Sequence, residues 1–184
     1  MYSKVTIRDA NLEDAAAIDA ILRAVGWFER INKETTTHTQ SQIIQRLLQC
    51  QREGTHTILV AELPHGTIVG YIAVHWFPVL MRGIDGYVSE LFVHPSEVGK
   101  GIGSHLLDAI NEQATKRGCT RLILMNRRDR ESYQRGFYSS QGWEELREGA
   151  FFTLMLPLAD GRDAVNRVHR CIDLSSMEQT YQQK

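Results

Sequence analysis

The stretch that most constrains this fold is ELFVHPSEVGKGIGSHLLDAI, residues 90–110, where a β-prone apolar run meets a proline and then three alternating glycines. Leu91, Phe92 and Val93 are apolar on both faces of an extended segment, which marks a strand in a central, buried position. From within the glycine run onward, Ile102, Leu106, Ala109, Ile110 and Ala114 recur at helical spacing, and Gly118 ends the pattern. Glycine weakens a helix by roughly 0.5–1 kcal/mol relative to alanine. Gly99, Gly101 and Gly103 at a helix start therefore point to a backbone kept bare for something to approach. The unpaired N–H groups and positive dipole end of a helix N-terminus favour phosphate, and Lys100 and Ser104 add donors. The alternative is a glycine-rich connection with no ligand.

Two phosphate patterns fail on spacing. A Walker A loop needs lysine after the last glycine, whereas Lys100 lies between glycines. A dinucleotide fingerprint needs G-x-G-x-x-G and an acid about 20 residues on. Here the spacing is G-x-G-x-G and residues 121–125 read RLILM.

The rest of the chain surrounds this unit. KVTIRDA alternates as a short strand, and Asn11 caps a helix through LEDAAAIDAILRAV that stops at Gly26. Thr39 and Gln42 form a T-x-x-Q box before a second helix with the stripe Ile43, Ile44, Leu47 and Leu48. THTILVAEL and TIVGYIAVHWF are strands joined at Pro64-His65-Gly66, and DGYVSELFVHP is the next. TRLILMN is a strand, Asp129 caps a helix through RESYQRGFYSSQ, and WEELRE and FFTLMLPL are two closing strands. This order predicts a mixed α/β (α+β) sheet flanked by helices. Residues 1–158 form one domain. Residues 159–184 are a polar extension with a weak helix at Val165, Val168 and Ile172, compatible with a packed helix or a homodimer contact.

Charge and cysteine usage exclude some functions. A net charge of −1 over 184 residues gives no global field for nucleic acid or an anionic membrane, so any anion site is local. Cys50, Cys119 and Cys171 are dispersed and odd in number, which indicates neither a disulfide framework nor a metal site. With no apolar leader or spanning stretch, the expected location is the cytoplasm.

A central strand ending V-x-P, then x-x-G-x-G and a helix, resembles the acetyl-CoA signature of the GNAT N-acetyltransferase superfamily; here it reads VHPSEVGKGIGSHLL. RGFYSSQGWEEL resembles the second family signature, and the element order is similar over roughly residues 3–157. The resemblance implies an acyl-CoA N-acyltransferase fold with a splayed sheet. It implies that the CoA pyrophosphate sits on backbone N–H groups of Val98, Gly99, Lys100, Gly101, Ile102, Gly103 and Ser104. Pantetheine would add along Leu91, Phe92 and Val93 as a pseudo-strand. The chain departs from the family at Val98, where Arg or Gln is usual, and at Glu131, where Asn is common; Asn126 is the substitute donor.

Direct acetyl transfer needs a base for the amine, N–H groups for the oxyanion and a donor for the thiolate. On a continuous helix Tyr133 and Phe137 form one core stripe, leaving Tyr138 to use its hydroxyl; the family's acid tyrosine matches it. Its alternative is a packing tyrosine. Glu90 is the base candidate, its alternative a solvent-facing carboxylate, with His75 and Asp85 as other acid–base candidates in that region. Trp27, Phe28 and Glu29, at an irregular junction, form the implied acceptor-pocket loop or cap the core. NRRDR is either a phosphate contact or a solvated loop. The resulting expectation is acetyl-CoA-dependent N-acetylation of a primary amine on a small molecule or peptide. The transfer would be direct, in a ternary complex, since no Cys or Ser is placed for an acyl-enzyme. The rival is a non-catalytic acyl-CoA-binding sensor.

Overall fold

Strand β4, Gly83–Val93, is an inner strand next to the sheet's edge rather than its middle one, and Leu91, Phe92 and Val93 at its end are half-buried, not fully buried as expected, because the edge strand beside it does not reach them. The computed structural model describes residues 5–154, and its sheet runs β1-β2-β3-β4-β5. β1 (Thr6–Asp9), β2 (His56–Glu62), β3 (Ile68–Val79) and β4 are successively antiparallel, while β5 (Cys119–Leu124) pairs parallel to β4. On one face lie α1 (Ala15–Val25), α2 (Glu29–Lys33) and α3 (Thr36–Glu53), whose Ile18, Ile21, Leu22, Ile31 and Leu47 pack on Val60 and Tyr71. On the other lies α4 (Ile102–Lys116), burying Ile102, Leu106, Leu107 and Ile110. Each such side chain contributes about 1.5–3 kcal/mol when fully buried. Gly70 allows this close seating: a Cβ there would stand 3.2 Å from Ile102 Cγ2.

Local signals explain most boundaries. Asn11 and Asp14 form a reciprocal cap before α1, and Gly26 ends that helix in the left-handed conformation at φ 74°. The second long helix begins earlier than the T-x-x-Q box predicts. Thr35 is its N-cap, accepting from His38 N at 3.3 Å, and Thr39 is a buried helical residue whose hydroxyl binds Thr35 O and Arg23. The irregular junction expected at Trp27, Phe28 and Glu29 runs into α2, whose first residue is Glu29. Asp129 does not cap the next helix: Arg130 occupies that position, and Asp129 pairs with Arg127.

The helix predicted through RESYQRGFYSSQ is two short pieces, α5 (Glu131–Gln134) and α6 (Phe137–Ser140), divided by Gly136 at φ 65°. The break takes Tyr133 off the predicted core stripe, and its hydroxyl donates to Glu145 at 3.0 Å. Residues 143–154 form no strand, correcting the expectation for WEELRE and the start of FFTLMLPL. The remainder of that stretch, the 158/159 boundary, the weak C-terminal helix and Cys171 lie outside the described residues. Among the described residues no helix is long and apolar enough to cross a membrane.

Candidate active site

The alternating glycines serve two purposes. Gly99 and Gly101 take φ of 84° and 82°, a region costly for residues with a Cβ, and a Cβ on Gly99 would meet nothing within 4 Å. Gly101 is the N-cap of α4 and brings no side-chain cap to the first helix N–H groups; a Cβ there would meet His105 Nε2 at 4.0 Å. Gly103 differs, since a Cβ there would lie 3.0 Å from Phe137 Cζ. The glycine turn thus packs directly against the second motif. Ile102 is buried, leaving only its backbone for a ligand; Val98 N–H turns to Pro95 O at 3.5 Å, and Lys100 pairs with Glu97 at 2.9 Å.

Beside this turn the sheet opens. β5 pairs with β4 only from Ile84 to Val88, while β4 continues along β3 to Val93. The opening begins at a bulge: Ala73 faces Glu90 and Val74 faces Val88, leaving Ser89 without a partner residue. His94 N–H binds Val69 O, and hydrogen-bonded pairs alternate along an antiparallel ladder. The main-chain groups of Leu91 and Val93 therefore point away from β3, toward the side where β5 has ended. That edge can accept an extended amide-bearing ligand as a further strand.

The bulge turns Ser89 and Glu90 toward a cavity of about 510 Å³ between α1, α2, α3 and the sheet. Glu90 is held there by Tyr71, whose hydroxyl donates to Oε2 at 2.5 Å. Burial, and then the adjacent carboxylate, push the Tyr71 phenol well above its usual range, so it stays a donor. Cys50 and His56 also line the cavity. Burial, with Glu53 and Glu90 adding to it against Arg46, raises the Cys50 thiol and disfavours the thiolate. Burial and the stacked His75 ring, 4.5 Å away, lower His56. His75 is thus held against His56 rather than Glu90. Asp85 lies at the opposite end of β4, fully buried and bound by Thr120 at 3.0 Å and Arg121 at 2.7 Å, outside the cavity.

On the α4 side, Tyr138 packs with Leu91, Val93, Phe137 and Trp143 against the core. Its ring meets Phe137 edge-on at 5.0 Å, and burial pushes its phenol up to about 12, Arg135 opposing. No hydrogen bond engages its hydroxyl among the described residues. Asn126, just past β5, has a buried Nδ2 without a partner among the described residues, while Oδ1 accepts from Ser132 at 3.3 Å; Glu131 is exposed. Trp27 and Phe28 both pack edge-on against Phe92, at 5.5 and 5.6 Å, and Arg130 lies 3.6 Å over the Trp27 ring. They form a rim over β4; Glu29 pairs with Lys33, and the following Arg30 and Ile31 line the cavity. Sequence reasoning missed Tyr71, Ser89 and the α3 wall, because their signal lies in cross-strand register and helix docking.

A bare glycine turn, an opened parallel strand pair and a cavity at the bulge define an acyl-CoA-type acyltransferase fold. The family model for the acetyltransferase (GNAT) family matches residues 23–143, and the chain belongs to that family of N-acetyltransferases. It is 26% identical over 161 residues to a thialysine N-epsilon-acetyltransferase of Bos taurus, spanning 78% of this chain and 91% of that protein. It is 33% identical over 116 residues to an L-methionine sulfoximine/L-methionine sulfone acetyltransferase of Pseudomonas paraeruginosa, spanning 61% and 65%. Among solved structures, a Bacillus halodurans protein described as a transcriptional regulator superposes with a TM-score of 0.70 at 25% identity, covering 82% of this chain and 100% of that one.

Proposed function

We propose that this N-acetyltransferase moves the acetyl group of acetyl-CoA directly onto a primary amine of a small molecule or peptide. The observation that carries the reading is the meeting of the unpaired β4 edge with the Glu90 cavity on one face and Tyr138 on the other. The residues fit acetyl-CoA. Backbone groups from Gly99 to Ser104 would take the pyrophosphate, Leu91 and Val93 the pantetheine amides, and Asn126 Nδ2, buried and without a partner among the described residues, would be a further donor. Bound acetyl-CoA supplies an activated thioester. Relatives named for thialysine and methionine sulfoximine support an acceptor that is a small molecule.

Glu90 takes a proton from the amine, directly or through water, and Tyr71 fixes the carboxylate that does so. An outward N–H of Leu91 or Val93 holds developing oxyanion charge. Tyr138 gives the departing sulfur a hydrogen bond. The raised Cys50 thiol supports direct transfer, since a protonated thiol is a poor nucleophile.

The test is CoA release from acetyl-CoA across amino acids, polyamines, aminoglycosides and peptides, paired with acetyl-CoA titration. Tyr138→Phe is expected to lower kcat about 100-fold, the cost of losing one preorganised donor to developing charge, and to change acetyl-CoA affinity less than threefold. Unchanged kcat removes Tyr138 from the mechanism. Tight acetyl-CoA binding without turnover on any amine supports a binding module instead.

A further inference from the structure

The acceptor cavity carries two cations that the transfer reaction does not use. Its lining includes one carboxylate, Glu90, and two guanidiniums, Arg30 of α2 and Arg46 of α3. Arg30 is already engaged: Nε lies 3.6 Å from Glu34 Oε1, and Nη2 donates to Gln42 at 3.2 Å. Among the described residues Arg46 is engaged only by a neutral group, donating through Nη1 to Gln49 Oε1 at 2.8 Å. Among the described residues no carboxylate lies within ion-pair distance of it, and Glu53 is reached only through the Gln49 amide, which donates to it at 2.7 Å. One turn along α3, Cys50 also lines the cavity and feels both Arg46 and Glu90. The two charged groups therefore share one electrostatic neighbourhood.

We infer that the acceptor carries a carboxylate as well as its amine, and that Arg46 on α3 binds this carboxylate while Glu90 faces the amine. This rests on the acetyl-transfer reading. A guanidinium offers a planar fork of donors that matches a carboxylate, and it stays charged at every working pH. A polyamine fits poorly, because its second cation would meet Arg30 and Arg46 with no further carboxylate among the described lining residues. A phosphate dianion is better served by two uncommitted cations, and Arg30 is tied to Glu34. The acceptor is thus of the amino-acid type.

The experiment compares matched amines with and without the carboxylate: L-lysine with cadaverine, L-ornithine with putrescine, and L-methionine with 3-(methylthio)propylamine. O-Phosphoethanolamine is the phosphate probe. The carboxylated member of at least one pair is expected to show about tenfold higher kcat/KM, and Arg46→Gln to erase that preference through KM, as loss of one charged hydrogen-bond pair implies. Arg52→Gln, on the same helix outside the cavity, controls for general effects of charge removal. No preference in any pair, a preference surviving Arg46→Gln, or faster reaction of the phosphate probe overturns the inference while leaving acetyl transfer intact. If no amine turns over, calorimetric titration of the same pairs against both proteins still decides it. Equal binding of carboxylated and decarboxylated members, or equal binding to wild type and Arg46→Gln, counts against Arg46.

Discussion

Two tyrosines on opposite faces of the sheet have their phenols raised by burial and do different work. Tyr71 gives its proton to a hydrogen bond with Glu90, so its role persists across the working pH range. Tyr71→Phe keeps the ring and loses the bond. About 1 kcal/mol of stability should go with it, read from denaturant midpoints. The kcat should fall about tenfold as the carboxylate loses its fixed orientation. An unchanged kcat would show that Glu90 needs no positioning. Tyr138, held at about 12, lies some three to four units above a free thiol near 8.5. Full proton transfer from it to a thiolate is uphill by roughly 4–5 kcal/mol, so in the proposed transfer its contribution is a donated hydrogen bond. A profile of kcat against pH should then show no alkaline limb attributable to Tyr138 below about pH 11. A limb near pH 8–9 that disappears in Tyr138→Phe would contradict that assignment.

Among the elements, α4 and α6 are coupled where the Phe137 ring is seated on Gly103. Gly103→Ala would place a Cβ 3.0 Å from Cζ, so the ring must yield by a few tenths of an ångström and carry its neighbour Tyr138 with it. The expected result is a severalfold loss of kcat with acetyl-CoA affinity within threefold. Phe137→Leu combined with Gly103→Ala should recover part of the loss, and strictly additive effects would sink the coupling. This contact shows where sequence reading stops. The strands of the central hairpins, α4 and the glycine turn were legible because periodicity and left-handed glycines are local signals. The placement of Leu91, Phe92 and Val93 in an inner strand and of Asn11 and Gly26 at the ends of the first helical segment followed from them. Gly136 reads in sequence as one tolerable glycine in a helix, yet its positive φ divides α5 from α6 and redirects Tyr133. The Thr35–Thr39 run offers several caps, and docking of Arg23 on Thr39 selects the earlier one. Tyr71 and Glu90 lie 19 residues apart, and only register brings them together.

At the scale of the whole molecule, β4 is clamped at one end and open at the other. Near its start, Asp85 binds Arg121 and Thr120 of β5 and, more distantly, Arg82 at 3.4 Å; past the bulge, β5 is gone. A parallel pair meant to open at one end needs a firm hold at the other, and a buried, multiply bonded carboxylate supplies it. Burial alone would raise Asp85, but the hydrogen bonds from Arg121 and Thr120 outweigh it and hold the carboxyl below its usual range. A group whose folded pKa is depressed stabilises the fold fully above its unfolded value, near 4, and loses that contribution as pH falls through the folded value. Asp14 beside Arg8 acts in the same direction, by the same balance of burial against ion pairing. The melting temperature should therefore decline as pH drops below about 4. Asp85→Asn should lower it at pH 7 and make the acid decline shallower, since one of the carboxylates driving it is gone. Because the clamp lies away from the cavity, the folded fraction of that variant should keep its acceptor KM while acetyl-CoA affinity falls, the β4–β5 gap no longer being fixed in width. Identical melting curves for both proteins from pH 3 to 7, or a changed acceptor KM with unchanged acetyl-CoA affinity, would show that the gap is held by something other than Asp85.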